Sequence, residues 1–233
     1  MHLTLGCRFM RLGRYNSDLN SEQVAHALLL AFQRRIDEGF RLFIWIALPC
    51  SPWSSWQHIN LTVMSAEAKQ QLTAQRQKSE HMVSLLLQVL DSLPREYVSA
   101  AFEWPRGAQP WSKPFAAFTA LQKRLPIVLD FDGCRYGWRT CKPWRVITDL
   151  PALSAVLDRR CRDGQQHVHE ECRGAVAEES GHYTPELAQA VAAAVCSSDT
   201  LPLIVQVDVE PTSEPSSGSG DVAPVPEGAS PLE

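Results

Sequence analysis

The chain of 233 residues has no long hydrophobic run, and this absence excludes a membrane-spanning protein. Its longest apolar stretch, Leu42 to Leu48, has the length of a strand and falls far below the ~18–20 residues that a membrane helix needs. The N-terminus becomes charged at Arg8, too early for a secretory signal peptide. The seven cysteines do not suggest a disulfide framework, because their number is odd and a chain of this size does not need disulfide bonds for stability. We therefore predict an intracellular protein of the nucleus or cytoplasm that is not secreted.

The C-terminal end has no positive charge and few large apolar residues. Residues 208–233 include six acidic side chains and no Lys or Arg, and they are rich in Pro, Ser and Gly. Such a segment cannot bury enough surface to offset the entropy of ordering. We predict a disordered acidic tail over residues 208–233 that follows one domain over residues 1–207.

The rest of the chain has an ordinary globular composition, with 45% hydrophobic and 21% charged residues over the whole sequence. Strand-like stretches are found at residues 7–12, 42–48, 97–104, 126–131, 145–148 and 201–207. Helix-like stretches are found at residues 24–32, 65–93, 115–121, 151–159 and 185–196. The first of these helices has Asn20 as its predicted N-cap. Alternation of strands and helices predicts an α/β fold with a mostly parallel sheet.

Polar residues follow three of the predicted strands, where ligands collect in such sheets. Cys50 follows the strand at residues 42–48, in a loop rich in proline and tryptophan. Glu103 lies at the end of the strand at residues 97–104, and Asp132 follows the strand at residues 126–131. Cys50 is a candidate nucleophile if neighbouring groups favour its thiolate. The alternative is structural: a buried thiol, and a carboxylate that pairs with Arg106.

These segments resemble cytosine-C5 DNA methyltransferases, which have a Pro-Cys nucleophile loop after a hydrophobic strand and a Glu at the end of the next one. The order of segments is more closely similar to a methyltransferase-like family encoded in large protist genomes. The matching segments are Pro49 to Asn60, Glu103 to Gly107, Phe131 to Gly137, Lys142 to Arg145, Cys161 to Cys172 and Tyr183 to Leu187. The resemblance covers about residues 6–195, and it implies a three-layer, Rossmann-like sheet of the class I methyltransferase type.

The resemblance also implies a mechanism on a pyrimidine base of nucleic acid. Cys50 would attack C6 of the ring, Glu103 would hydrogen-bond the ring edge, and Arg145 would hold a phosphate or the ring carbonyl. S-adenosylmethionine would supply the methyl group, and a base in a duplex would have to be flipped out. The residues to which we assign substrate contacts are Ser54, Trp56, Gln57, His58, Asn60, Arg106 and Asp132.

Two features depart from the family pattern. Ser51 follows the Pro-Cys pair, where the enzymes have Gln. The glycine-rich loop that holds the cofactor is also missing before Gly6, so the chain resembles an N-terminally truncated methyltransferase that starts after this loop. We therefore expect it to bind S-adenosylmethionine poorly and to be incomplete or inactive by itself.

A second cluster of potential ligands lies near the C-terminal part of the domain, in a loop over residues 158–183. Thiol and imidazole groups at these positions match the ligands that zinc prefers. The candidate zinc ligands are Cys161, His167, His169, Cys172 and, from an earlier loop, Cys134 or Cys141. The alternative is a polar loop without metal.

Three functions remain open from the sequence. The first is a methyltransferase-like domain with nucleic acid as substrate. The second is a non-catalytic, zinc-containing binding module or a remnant of a mobile-element-encoded protein. The third is a hydrolase or transferase in which His58 is the base for Cys50. The stretch from Arg135 to Arg162 has seven basic residues and two acidic ones, which suits either a phosphate-facing surface or a solvated face.

Overall fold

The structure is a computed structural model that describes residues 8–12, 19–161, 168–197 and 202–208. It is an α/β fold with one six-stranded sheet in the order β1-β6-β2-β3-β5-β4. The strands are β1 (Arg8–Leu12), β2 (Arg41–Ala47), β3 (Val98–Pro105), β4 (Ile127–Asp132), β5 (Pro143–Thr148) and β6 (Pro202–Asp208). The helices are α1 (Glu22–Asp37), α2 (Trp56–Val63), α3 (Ala66–Ser92), α4 (Ala116–Arg124), α5 (Ser154–Leu157), α6 (Gly174–Glu179) and α7 (Pro185–Cys196).

The sheet is mixed, whereas the sequence predicted a mostly parallel one. β1, β6, β2 and β3 pair in parallel, but β5 pairs antiparallel with both β3 and β4. The chain between β4 and β5 explains the difference. Residues 133–142, named here the hairpin loop, are too few for the crossover of a dozen or more residues that parallel neighbours require.

Helices cover both faces of the sheet, and β2 shows why. Leu42, Ile44 and Ile46 pack into a core shared with α1, α3 and α4. Phe43 and Trp45 point to the other face and pack into a core shared with α5 and α7. Because side chains alternate along a strand, an uninterrupted apolar run fits a strand with a core on each side.

Short polar side chains set where the main helices begin. Ser21 caps α1 by accepting a hydrogen bond from the Val24 amide, and Ser65 caps α3 in the same way. The predicted cap at Asn20 was one residue too early.

Two other local predictions were only partly right. The loop predicted over residues 49–60 contains a short 3₁₀ turn and most of α2. The helix predicted over residues 151–159 is a 3₁₀ turn followed by the single turn of α5. In the described part of the chain, no helix combines the length and apolar character needed to cross a bilayer.

The final strand in sequence lies inside the sheet. β6 pairs in parallel with β1 on one side and β2 on the other, with Asp208 opposite Ala47. β2 is therefore hydrogen-bonded along both edges. The tail predicted beyond this point lies outside the described residues, apart from Asp208.

Candidate functional site

The carboxyl ends of β2 and β3 lie side by side, with Ala47 opposite Glu103. Cys50 lies three residues after Ala47 and immediately precedes the 3₁₀ turn Ser51–Trp53. The loops after the two strands also meet, because a Cβ on Gly107 would lie 3.7 Å from the Ser55 hydroxyl. The thiol and the carboxylate are therefore at the same end of adjacent strands.

The Cys50 thiol is poorly prepared for nucleophilic attack. It is half-buried and packs against the core on the α1, α3 and α4 side of the sheet. Burial raises the pKa of the Cys50 thiol, the negative charge of Glu103 raises it further, and Lys142 opposes them more weakly. Because the thiolate is the reactive form, Cys50 is predominantly an unreactive thiol at neutral pH.

The Glu103 carboxylate is closed off by aromatic residues from the other face of the sheet. Only 6% of Glu103 is exposed. The Tyr183 hydroxyl donates to Glu103 Oε1 at 2.8 Å and accepts from Trp45 Nε1 at 2.9 Å. Trp45 and Tyr183 also form an edge-to-face ring pair. The sequence did not single out either aromatic residue as part of the site.

Arg145 is engaged in an ion pair and is not directed at the strand ends as a spare cation. Its Nε donates to Asp130 Oδ1 at 2.8 Å, and a second guanidinium nitrogen donates to Oδ2 at 2.9 Å. Arg160 also donates to Asp130 Oδ2. The role assigned to Arg145, holding a phosphate or carbonyl, would require this bidentate pair to open.

The predicted substrate contacts fall into several groups. Ser54 and Gln57 make local hydrogen bonds, Ser54 with the Trp56 amide and Gln57 with the Ser51 carbonyl. Trp56 is 58% exposed and Asn60 is also exposed, so both remain available to a ligand.

The other three predicted substrate contacts are Arg106, Asp132 and His58. The Arg106 amide donates to the Pro143 carbonyl, which ties the loop after β3 to the start of β5. Asp132 lies beside the thiol cluster described below. The His58 side chain lies outside the described residues.

Four potential metal ligands meet beside the hairpin loop. The ligand atoms of Cys134, Cys141, Cys161 and His169 all lie within 4.8 Å of one another. Zn–S bonds of about 2.3 Å in a tetrahedron place sulfur atoms about 3.8 Å apart. These residues, named here the Cys3His cluster, could hold a metal ion after small adjustments.

Main-chain and carboxylate hydrogen bonds bring the four ligands together. The Gly133 amide donates to the Lys142 carbonyl at 2.9 Å and closes the hairpin loop that carries Cys134 and Cys141. The Cys161 amide donates to Asp132 Oδ2 at 2.8 Å. The Glu170 amide donates to the Arg139 carbonyl at 3.0 Å and sets the position of the neighbouring His169.

Without a cation, the surroundings of Cys134 and Cys141 disfavour the ionisation of these two thiols. Burial raises the pKa of Cys134 to about 12, aided by its hydrogen bond with Cys161 and the charge of Cys141. Burial also raises the pKa of Cys141, and the nearby Asp132 charge adds to the effect. A bound divalent cation would reverse this balance, because it stabilises thiolates directly.

The sequence identified part of this cluster. Cys134, Cys161 and His169 were predicted ligands, and Cys141 was the alternative to Cys134. Cys172 is not in the cluster: it is exposed, and its sulfur lies 3.5 Å from the Ser180 hydroxyl. His167 lies outside the described residues. Asp132, which stays a predicted substrate contact, accepts a hydrogen bond from the Cys161 amide.

Three of the seven basic residues between Arg135 and Arg162, for which a phosphate-facing surface and a solvated face were both open, are paired with carboxylates. Arg139 pairs with Glu170 and Glu179, and Arg145 and Arg160 share Asp130. A groove between α3 and α4 contains none of the candidate site residues.

The chain was compared with protein-family models, with curated proteins and with solved structures, and none of the three comparisons gives a match.

Proposed function

We propose that this chain is a methyltransferase-like, Rossmann-like α/β domain that contains a structural zinc centre and acts as a non-catalytic binding module. The Cys3His cluster carries the proposal. Zinc favours this donor set, and a site with four protein ligands leaves no open position for a reacting water. Zinc held there would link the hairpin loop, Cys161 and His169.

Metal analysis of the purified chain tests the zinc centre. We expect one equivalent of zinc in the wild type and its loss in Cys141→Ser. Cys172→Ser is the matched control, because Cys172 is a nearby cysteine outside the cluster. Zinc-free protein that also fails to take up added zinc would contradict the proposal, as would equal loss of zinc in both variants.

Three features argue that this chain alone does not transfer methyl groups. Cys50 is predominantly protonated, the Glu103 carboxylate is covered by Tyr183, and Arg145 is paired with Asp130. The sequence supplies no recognisable glycine-rich cofactor loop, so no residue is assigned to S-adenosylmethionine. We expect no binding by calorimetry at micromolar concentrations, and micromolar affinity would overturn this expectation.

Cytosine-C5-type methyl transfer is the second candidate, and one observation favours it. The pairing of Ala47 with Glu103 brings Cys50 and Glu103 to the same end of neighbouring strands. In this reaction Cys50 would add to C6 of a pyrimidine while Glu103 hydrogen-bonds the ring, and S-adenosylmethionine would supply the methyl group. Transfer of labelled methyl groups to nucleic acid, abolished in Cys50→Ala, would establish it; no transfer would leave only the binding module.

Nucleic acid is the partner proposed for the binding module, and Trp56 is the contact that can be tested. Trp56 is exposed at the start of α2, next to the loop junction at Ser55 and Gly107. An exposed aromatic ring can stack on an unpaired base, which is worth about 1–3 kcal/mol.

Fluorescence anisotropy with single-stranded DNA and RNA tests this contact. We expect Trp56→Ala to weaken binding about fivefold or more. Val63→Ala is the control, because Val63 is an exposed apolar residue on the same helix. Equal affinities of the two variants would exclude stacking on Trp56.

A further inference from the structure

The segment that covers Glu103 also carries one ligand of the Cys3His cluster. Residues 168–184, named here the capping segment, run along the hairpin loop and include α6. Tyr183, near the end of the segment, donates to the buried Glu103 carboxylate. His169, near its start, is the one cluster residue of the four that belongs to the capping segment. The segment thus joins the cluster to the strand ends.

The capping segment touches the hairpin loop at a series of points. These contacts join Glu170 and Glu179 to Arg139, Ser180 to Lys142, His182 to Trp138, and Thr184 to Tyr136.

The ion pairs that join residues 168–179 of the segment to the hairpin loop are weak. The side chains of Arg139, Glu170 and Glu179 are each about half exposed or more, at 57%, 45% and 65%. Exposed ion pairs of this kind contribute about 0–1 kcal/mol each. Together with the main-chain hydrogen bond from Glu170 to Arg139, they hold residues 168–179 only weakly. A metal–imidazole bond at His169 is the strongest attachment that this half of the segment can form.

We propose that the metal centre, through His169, latches the capping segment over the Glu103 carboxylate. The inference rests on the proposed zinc centre and adds a role to it. With metal bound, three ligands fixed to the body of the domain hold His169, and Tyr183 stays on Glu103. Without metal, the segment opens from its His169 end, and the Glu103 side chain becomes accessible while the β3 backbone keeps its hydrogen bonds in the sheet. Access to the carboxylate is therefore coupled to metal occupancy.

The packing of the segment's second half sets the limits of this motion. Trp138 Nε1 donates to the His182 carbonyl at 3.1 Å, and Trp45 Nε1 donates to Tyr183. These contacts are more buried, so opening begins at residues 168–179 and reaches Tyr183 later. The sheet below keeps its own core and hydrogen bonds throughout.

Hydrogen exchange of the full chain, followed by mass spectrometry, tests the latch. The zinc-loaded protein is compared with the protein after chelation, and exchange is read in peptides from the capping segment and from β3. We expect chelation to speed exchange in the capping segment at least about tenfold, while β3 peptides remain protected during the same period. His169→Ala should have the same effect in the presence of zinc.

Two variants separate latching from a general loss of structure. His169→Cys supplies another zinc ligand and should restore slow exchange. His182→Ala removes an exposed imidazole from the same segment and should leave exchange unchanged, because His182 contacts Trp138 through its carbonyl. Unchanged exchange after chelation would overturn the latch while leaving the zinc centre intact. Simultaneous loss of protection in β3 would also overturn it, and absence of zinc from the wild type would contradict the proposed function itself.

Discussion

The Cys3His cluster and the Cys50–Glu103 strand ends are both groups of reactive residues, but their environments differ. The cluster collects four donor atoms within 4.8 Å, held by hydrogen bonds from loops. At the strand ends, Cys50 packs into one core and Glu103 faces the other, where Tyr183 is its partner. In the Cys3His cluster the ligand atoms point toward one another. At the strand ends the Cys50 and Glu103 side chains instead pack against separate neighbours. Proximity along the sheet therefore identifies a site only when the side chains also converge.

The difference matters because burial raises the pKa of thiols in both groups, but only the cluster could offset this effect by binding a cation. In the cluster, the pKa of Cys134 and of Cys141 is raised, but a bound cation would stabilise their thiolates directly. At the strand ends, the charge of Lys142 only partly opposes the effects that raise the pKa of Cys50. The following predictions test this contrast, beginning with the largest expected effect.

Removal of metal should have the largest effect on stability. If free zinc exceeds its dissociation constant about a thousandfold, binding stabilises the folded chain by about 4 kcal/mol. For a domain of this size the midpoint of thermal unfolding should fall by about 10 °C on chelation. Calorimetry with and without chelator measures the change. A midpoint that does not change would show that the cluster contributes nothing through metal binding.

Substitution of Glu103 should cost less and should leave the zinc content unchanged. Glu103→Leu removes the acceptor of the buried Tyr183 hydroxyl, for an expected loss of about 1–3 kcal/mol in the free energy of unfolding. Glu103→Gln keeps an oxygen acceptor of similar shape and should cost less than half as much. Urea unfolding and metal analysis of both variants provide the measurements. Loss of zinc in Glu103→Leu would show that metal binding at the Cys3His cluster depends on Glu103.

The hairpin loop can be tested at Gly137, which has φ = +88°. Gly137→Ala forces a side chain into the left-handed region and brings a Cβ within 2.8 Å of a Glu186 carboxylate oxygen, so we expect a cost of about 1–2 kcal/mol. Gly39→Ala is the matched control, because Gly39 has φ = +89° and open space around it. The Glu186 side chain is flexible and can move away. Urea unfolding should therefore show that Gly137→Ala lowers the free energy of unfolding only slightly more than Gly39→Ala does. A much larger cost at Gly137 would mean that Glu186 cannot yield.

The sequence allowed the strands and main helices to be predicted, because their signals are local. The uniform apolar run of β2 and the serine before α3 are examples. The direction of β5 was not within reach, because the strands predicted at residues 126–131 and 145–148 leave enough residues between them for a crossover. Insertion of β6 between β1 and β2 could not be predicted, because nothing local distinguishes an interior strand from an edge strand at the end of a chain.

In the candidate sites, too, local signals could be read from the sequence, whereas long-range contacts could not. Cys134 and Cys141 flank the turn of an antiparallel hairpin, so the correct direction of β5 would have placed both in the cluster. Cys172 was predicted from its spacing to Cys161, but spacing in a loop does not fix which way a side chain points. The partnership of Tyr183 with Glu103 joins residues 80 positions apart and has no local signal.

The smallest expected effect concerns Cys50 and its ionisation. A thiol with a raised pKa in the folded state holds its proton more tightly than in the unfolded state. Its contribution to stability is therefore fully present below the ordinary thiol pKa near 9 and is lost as the pH rises through the folded value. At pH 7.5 an uncharged alkylating reagent should modify Cys50 several-fold more slowly than the exposed Cys172, since Cys50 is less accessible and burial raises the pKa of its thiol. Mass spectrometry of the two tryptic peptides resolves the rates in one sample. If Cys50 reacts as fast as Cys172, then the strand ends are open and charged as the methyl-transfer mechanism requires, and the contrast with the Cys3His cluster fails.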